Sequence, residues 1–331
     1  MAGPETARSV DLFSTCPPSS RANRDDYRRQ VIDVARWSEE AGCTGILVYA
    51  DNSQVDPWLA AQIIVEHTRT LSPLVALQPV YMHPYSAAKM VASLGWLYGR
   101  RLCLNLVAGG FRNDLIALRD PTPHDRRYER LVEYTTIVKR LLAGETVTFE
   151  GRFYVVEHLT LAPPLPQELA PRIYISGSSD AGLAAARAVG ATAIKYPKPP
   201  GEEDPLPEGL ACGVRIGIVA REDAAGAWAL AHARFPEDRR GQLTRQLAAR
   251  VSDSTWHEQL SRLDGAPASP YWLHPFQNYQ TMCPYLVGGH GEVAEEVDRY
   301  LTMGYRTFIL DVPACSDDLQ HTRRVFERIL T

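Results

Sequence analysis

Short β-branched runs alternate with amphipathic stretches along almost the whole of this 331-residue chain, and that alternation limits the possible folds more than any other feature. Apolar runs at 10–15, 44–50, 74–78 and 102–107 read as strands. Segments of helical spacing at 24–41, 57–68, 86–98 and 125–142 follow them in turn, the second opening with Pro57 at its first turn. Residues 146–161 then alternate apolar and polar side chains around Glu150-Gly151, which predicts an inserted β-hairpin. The rhythm resumes with a strand from 171, a helix over 181–189, strands over 192–196 and 213–220, a helix over 291–303, a strand over 307–311 and a helix over 317–329. Strand after helix, repeated this often, predicts a parallel sheet with crossover helices. Roughly eight strands make a closed (β/α)8 TIM barrel the best α/β solution. A doubly wound open sheet is the alternative, weakened because no GxGxxG follows the first strand.

The chain reads as one domain over 1–331, with a single interruption at about 236–285. Two helix-like stretches there, 239–250 and 254–263, lead into an aperiodic run from Gly265 to Tyr279 that is dense in proline and aromatics. Long irregular segments of compact domains are lids or disordered, and disordered segments are poor in aromatics, so a lid before the last strand is expected. A formal charge of −4 offers no electrostatic reason to bind nucleic acid or an anionic membrane, which leaves a small molecule as the expected partner. The six cysteines are scattered without a CxxC pair, and the histidines lack ligand spacing, so neither a disulfide framework nor a metal site is expected. No apolar run has transmembrane length or the form of a signal peptide, and the expected location is cytoplasmic.

In a barrel the chemistry sits where strands end, which nominates Cys16, Tyr49 to Asp51, Gln78, Asn105, Gly177 to Ser179, Tyr196, Arg215 to Ala220 and Asp311. The run Pro171-Arg-Ile-Tyr-Ile-Ser-Gly-Ser-Ser-Asp180 is the most pointed of these, because its β-branched residues stop at Gly177 and an alanine-rich helix follows Ser178 and Ser179. Free N–H groups at a helix start, a glycine that lets the backbone approach, and two hydroxyls make a phosphate seat. Serine and aspartate are also the commonest N-caps, so an ordinary helix cap fits the same residues.

Taken in order, several runs resemble the bacterial-luciferase-like flavin monooxygenases, above all the alkanesulfonate monooxygenase branch. They are Gly45-Ile-Leu-Val, Leu74-Val-Ala-Leu-Gln-Pro, Leu104-Asn-Leu-Val-Ala-Gly, His124-Asp-Arg-Arg-Tyr-Glu, the stretch 144–153, the Gly-Ser-Ser seat and Tyr285-Leu-Val-Gly. The resemblance implies a barrel that binds reduced FMN, delivered by a separate NAD(P)H:flavin reductase, and uses O2 to oxidise an organic small molecule through a flavin C4a-(hydro)peroxide. By position, it implies that Gly177, Ser178 and Ser179 hold the FMN phosphate, that His124 and Tyr128 lie near the ribityl chain and phosphate, and that Asn105 lies beneath the ring. Gln78 falls where such proteins carry a non-proline cis peptide near the flavin. A homodimer or homotetramer is implied in the same way.

The substrate positions depart from the sulfonate pattern. Arg215 matches one of the arginines that meet the sulfonate, and is the candidate for a catalytic or substrate contact; a structural salt bridge at the barrel rim is the alternative. Gly217 stands at the position of a histidine, Gln54 at that of a cysteine, and Tyr279 near that of a lid arginine. A sulfonate wants several charge-assisted donors. Their loss implies a roomier, less cationic site for another substrate. Competing readings are a deazaflavin-dependent dehydrogenase on the same barrel and a non-catalytic flavin-binding protein.

Overall fold

The computed structural model describes residues 9–109, 112–237 and 269–330. The expected helices at 239–250 and 254–263, and with them most of the proposed lid, lie outside the described residues. Eight parallel strands close into a barrel: β1 (Asp11–Thr15), β2 (Gly45–Val48), β3 (Ser72–Leu77), β4 (Cys103–Val107), β7 (Arg172–Ser176), β8 (Thr192–Lys195), β9 (Cys212–Arg215) and β13 (Thr307–Ile309). Their order around the barrel is β1-β13-β9-β8-β7-β4-β3-β2, and closure comes from β1, which pairs with β13 on one side and β2 on the other. β2 is buried along its whole length, as expected for a parallel strand covered on both faces.

Local chemistry starts and stops the surrounding helices. Helix α1 (Arg24–Glu40) is capped by Asn23, whose side chain accepts from the Asp26 N–H at 2.9 Å. Helix α2 (Pro57–His67) is capped by Asp56 with Pro57 in its first turn, and α3 (Pro84–Tyr98) ends at Gly99, which has φ of +61°. After the short α4 (Arg112–Ala117), α5 (His124–Leu142) spans five turns, and the hairpin β5 (Val147–Glu150) and β6 (Val155–Leu159) follows as predicted. Glu133 of α5 accepts from the N–H groups of Arg152, Phe153 and Tyr154 and so fastens the hairpin to that helix. Helix α6 (Asp180–Val189) follows β7.

The expected single strand over 213–220 is two strands. It breaks at Ile216: β9 stays in the barrel against β13, while β10 (Gly217–Arg221) leaves it and pairs with β12 (Tyr285–Gly289), itself extended by β11 (Tyr271–Trp272). The split is visible in the backbone, where the Ile216 N–H reaches Ile309 O at 3.0 Å and the next N–H, of Gly217, reaches Pro284 O at 2.8 Å. Between β8 and β9 the chain crosses without a helix, held by buried Glu203, which pairs with Lys195 and accepts from the Lys198 N–H and the Tyr305 hydroxyl. Helices α7 (Ala224–Arg234), α8 (His274–Gln277), α9 (His290–Met303) and α10 (Ser316–Leu330) complete the described fold. Among the described residues no helix is long and apolar enough to cross a membrane.

The core has two parts. Phe13, Leu47, Leu74, Cys103, Tyr174, Ile194 and Ile309 fill the barrel lumen, and a larger apolar layer lies between the strands and the helices. Outside these, Asp318 of α10 accepts from Arg221 at 2.8 Å, pairs with Arg234 at 2.9 Å and caps the Ala314 N–H at 3.1 Å, joining α10 to β10 and α7. Burial works against the Asp318 charge, but the two arginines outweigh it and hold the carboxyl below its usual range. A depressed folded-state pKa means that this stabilisation is complete above the unfolded value of about 3.9 and fades as pH falls through the folded value. Asp318→Asn is expected to cost about 3 kcal/mol at neutral pH, read as a lower urea midpoint, with the gap to wild type closing below about pH 4.

Candidate active site

The residues that fill the lumen also decide what faces the barrel mouth, because side chains two apart on a strand share a face. Two positions beyond Phe13, Leu47, Cys103, Tyr174, Ile194 and Ile309 stand Thr15, Tyr49, Asn105, Ser176, Tyr196 and Asp311, and Arg215 and Gln78 end the other two strands. This layer falls into two arcs. Strands β3, β4 and β7 carry Gln78, Asn105 and Ser176; strands β8, β9, β13, β1 and β2 carry Tyr196, Arg215, Asp311, Thr15 and Tyr49. By strand order β4 lies opposite β13, and β3 opposite β9.

On the first arc the structure brings together most of the residues expected to hold a cofactor. Asn105, 4% exposed, accepts from the Ser176 hydroxyl at 2.9 Å, and its Nδ2 has no partner among the described residues. Tyr128, in the second turn of α5, packs directly on Gly177, and His124 one turn earlier meets the Tyr128 ring at 5.3 Å, centroid to centroid. The His124 Nδ1 lies 2.8 Å from the Asp125 carboxylate. Gly177 has φ of +156°, and a Cβ there would fall 2.4 Å from the Tyr128 hydroxyl, so both conformation and space demand glycine. Ser179 is the N-cap of α6, accepting from the Gly182 N–H at 3.2 Å, so its hydroxyl performs the capping role that the sequence allowed. Ser178 and the N–H groups of the first turn remain to face a ligand.

Gln78 is buried at the end of β3 and donates to Ala50 O at 2.7 Å, which ties the β2 and β3 rims. The non-proline cis peptide expected near it is absent; the cis bond among the described residues is Ala162–Pro163. Gln54 and Tyr279 are not brought to this layer by any hydrogen bond. Gln54 spends its amide on Ser19 at 3.1 Å and Ser20 at 2.9 Å, stitching the loops after β1 and β2, and Tyr279 follows α8 with φ of +56°.

The second arc is a buried polar cluster centred on Arg215, which is 3% exposed. Its guanidinium donates to Thr15 Oγ1 at 3.1 Å and to the Tyr49 hydroxyl, lies 5.3 Å from the centre of the Tyr49 ring, and faces Asp311 at 3.4 Å. Arg215 is thus an ion pair as well as a mouth residue. Tyr285 donates to the other Asp311 oxygen at 2.9 Å, and the Cys283 thiol lies against the same carboxylate. Burial works against the Arg215 charge, but the polar groups around it, with the Asp311 carboxylate among them, hold its pKa above the ordinary value. Burial pushes the Tyr49 and Tyr196 hydroxyls up, and burial with Asp311 does the same to Cys283 and Tyr285, so all four stay neutral. Burial also pushes the Cys16 thiol up to about 12, which removes it as a nucleophile.

Gly217 does not open the site. The Tyr285 ring fills the space, 2.3 Å from where a Cβ would stand. Sequence reasoning missed Thr15, which the period of two from Phe13 would have found, and Cys283 and Tyr285, which lie next to an aperiodic segment and had no such signal. Among the described residues no group of three His, Cys, Asp or Glu side chains could hold a metal ion. The mouth offers donors, acceptors and one ion pair for binding and orientation. Gly177→Ala is expected to destabilise by about 1–3 kcal/mol in urea denaturation. In a Tyr128→Phe background the same change should cost less, because the clashing hydroxyl is gone.

Comparison with known proteins places the chain in a family. The model of the luciferase-like monooxygenase family matches residues 10–307. The chain is 32% identical over 333 residues to the 4-(gamma-L-glutamylamino)butanoyl-[BtrI acyl-carrier protein] monooxygenase BtrO of Niallia circulans, covering 97% of each protein. Among solved structures it resembles a riboflavin lyase, RcaE, with modified FMN and riboflavin, at a TM-score of 0.71 and 15% identity, covering 97% of this chain and 92% of that one. It also resembles an F420-dependent secondary alcohol dehydrogenase at a TM-score of 0.66 and 15% identity, covering 97% and 99%. The last two likenesses concern the fold, which serves more than one cofactor. Matched over most of its length by the family model, 32% identical to a monooxygenase over nearly all of both chains, and folded as a closed eight-stranded barrel, the chain belongs to the luciferase-like monooxygenases and is an enzyme of that class.

Proposed function

We propose that this monooxygenase uses reduced FMN and O2, receives its flavin from a separate NAD(P)H-dependent reductase, and oxidises an extended acyl amide rather than an alkanesulfonate. The observation that carries the cofactor reading is the cradle at Gly177, closed by Tyr128 and too tight for any side chain. Ser178, Ser179 and the first turn of α6 would hold the phosphate, His124 and Tyr128 would flank the chain leading from it, and Asn105 would offer its unpartnered Nδ2 to the ring. The chemistry that reduced FMN would supply when bound is a pair of electrons for O2, so that one oxygen atom would enter the substrate and the other would leave as water.

The protein's own residues bind, orient and exclude water. Tyr49, Tyr196, Cys283 and Tyr285 are held neutral, so none supplies a general base near neutral pH. Against a sulfonate stands the pairing of Arg215 with Asp311, which leaves no free cation at the matching position. For an acyl amide stands the likeness to a relative whose substrate is an amide-containing acyl group on a carrier protein. Homodimer or homotetramer assembly and a cytoplasmic location belong to the same reading.

Anaerobic titration followed by an O2 pulse tests it. Reduced FMN should bind, and a carrier-linked aminoacyl amide should gain one oxygen atom from labelled O2 in the product mass. Ser178→Ala should weaken reduced-FMN binding about tenfold, the loss of one charge-assisted hydrogen bond of about 1.5 kcal/mol. Binding of reduced deazaflavin in preference to reduced FMN, with hydride transfer and no labelled product, would replace this reading with the dehydrogenase one.

A further inference from the structure

The cluster on β9 and β13 is more specific than a rim salt bridge. Beside the Cys283 thiol, Asp311 meets two neighbours of different kind: Tyr285 holds one oxygen at 2.9 Å, while Arg215 faces the other at 3.4 Å, longer than a closed charge-assisted contact of about 2.7–2.9 Å. The arginine is pinned from behind by Thr15 and Tyr49, and its Nε–H is used by no described partner. Positive and negative groups are therefore fixed side by side at the strand ends, each with bonding capacity left. The side chains around them, Thr15, Tyr49, Tyr196, Cys283 and Tyr285, are neutral.

This arrangement depends on a glycine in the neighbouring strand. Tyr285 reaches Asp311 only because residue 217 has no side chain, and its ring occupies that space. Gly217, Tyr285 and Asp311 thus act as one unit that sets a carboxylate beside Arg215.

We propose that the Arg215–Asp311 pair is the receiver for an α-amino-acid head group, with the substrate carboxylate on Arg215 and its ammonium on Asp311, and that Asp311 is the residue that determines this specificity. A lone anion approaching Arg215 meets the Asp311 charge at nearly the same distance, so attraction and repulsion largely cancel. A lone cation meets the converse. A zwitterion brings both signs at a matching separation and gains at both positions. The proposal deepens the acyl-amide reading above and rests on it. The relative's acyl group carries a γ-linked glutamyl unit, whose α-ammonium and α-carboxylate are free.

The test is equilibrium binding by calorimetry to the FMN-loaded full-length protein, with no reductase and no turnover, so its outcome is separate from that of the oxygen-transfer assay. The probes are γ-L-glutamyl-n-butylamide, its α-carboxamide, which lacks the carboxylate, and glutaric acid mono-n-butylamide, which lacks the ammonium. Wild type should bind the zwitterion at least tenfold tighter than either analogue. Asp311→Asn should abolish the discrimination against the ammonium-free probe and admit octanesulfonate. Tyr285→Phe, which removes only the hydroxyl that holds Asp311, should reduce the discrimination in the same direction even if the first variant folds poorly. Equal affinities in wild type, failure of all three probes to bind, or unchanged discrimination in both variants would overturn the proposal.

Discussion

Closure of the barrel between β1 and β13 is the constraint on which the rest of this structure depends. Once the sheet is closed, every second side chain of each strand points inward, and there is room for one apolar layer centred on Phe13, Tyr174 and Ile309. The residues just beyond that layer are forced toward the mouth and shielded from water on one side. Polar groups in such positions must find partners, because an unpaired buried donor costs about 1–3 kcal/mol. The partners they find are one another: Ser176 on Asn105, and Thr15 and Tyr49 on Arg215. Packing of the lumen and construction of the site are therefore consequences of the same geometry.

Elements governed by local periodicity could be read from the sequence. The eight barrel strands, the hairpin and the helix that follows the Gly-Ser-Ser turn follow from spacing and turn chemistry, and all are present. The grouping of His124, Tyr128 and Gly177 came from resemblance, and in the structure the Tyr128 ring meets both the His124 ring and the Gly177 backbone. What escaped were features decided by contacts distant in sequence. The run 213–220 is one apolar segment, and nothing local marks Ile216 as the point where it changes sheets; that is set by Pro284 and Ile309, roughly seventy and ninety residues away. Gly217 reads as an opened space until Tyr285 is seen to fill it. Asp311 was nominated as a strand end, but its pairing with Arg215 needed the closed barrel to become visible.

The buried titratable groups show how the protein divides work with a cofactor. Burial dominates the pKa values of Cys16, Tyr49, Tyr196, Cys283 and Tyr285, and in each case it favours the neutral form. Arg215 keeps its charge because the Asp311 carboxylate and the hydroxyls of Thr15 and Tyr49 outweigh the same desolvation. These six groups thus keep fixed protonation states across the neutral range. Such a site suits a reaction whose electrons and oxygen come from bound small molecules, since its contribution is a dry, preorganised electrostatic surface.

The two arcs of the mouth share no strand, and this has an evolutionary consequence. The groups proposed to face the cofactor sit on β3, β4 and β7, and the charged cluster on β8, β9, β13, β1 and β2, with its tyrosine and cysteine supplied from the separate sheet around β12. A lineage can therefore exchange the residues of one arc, together with the segment that leads into β12, while the other keeps its inherited chemistry. The branching of the chain at Ile216 is the seam along which such diversification can proceed: it joins a strand that must stay in the barrel to one that is free to bring in new neighbours.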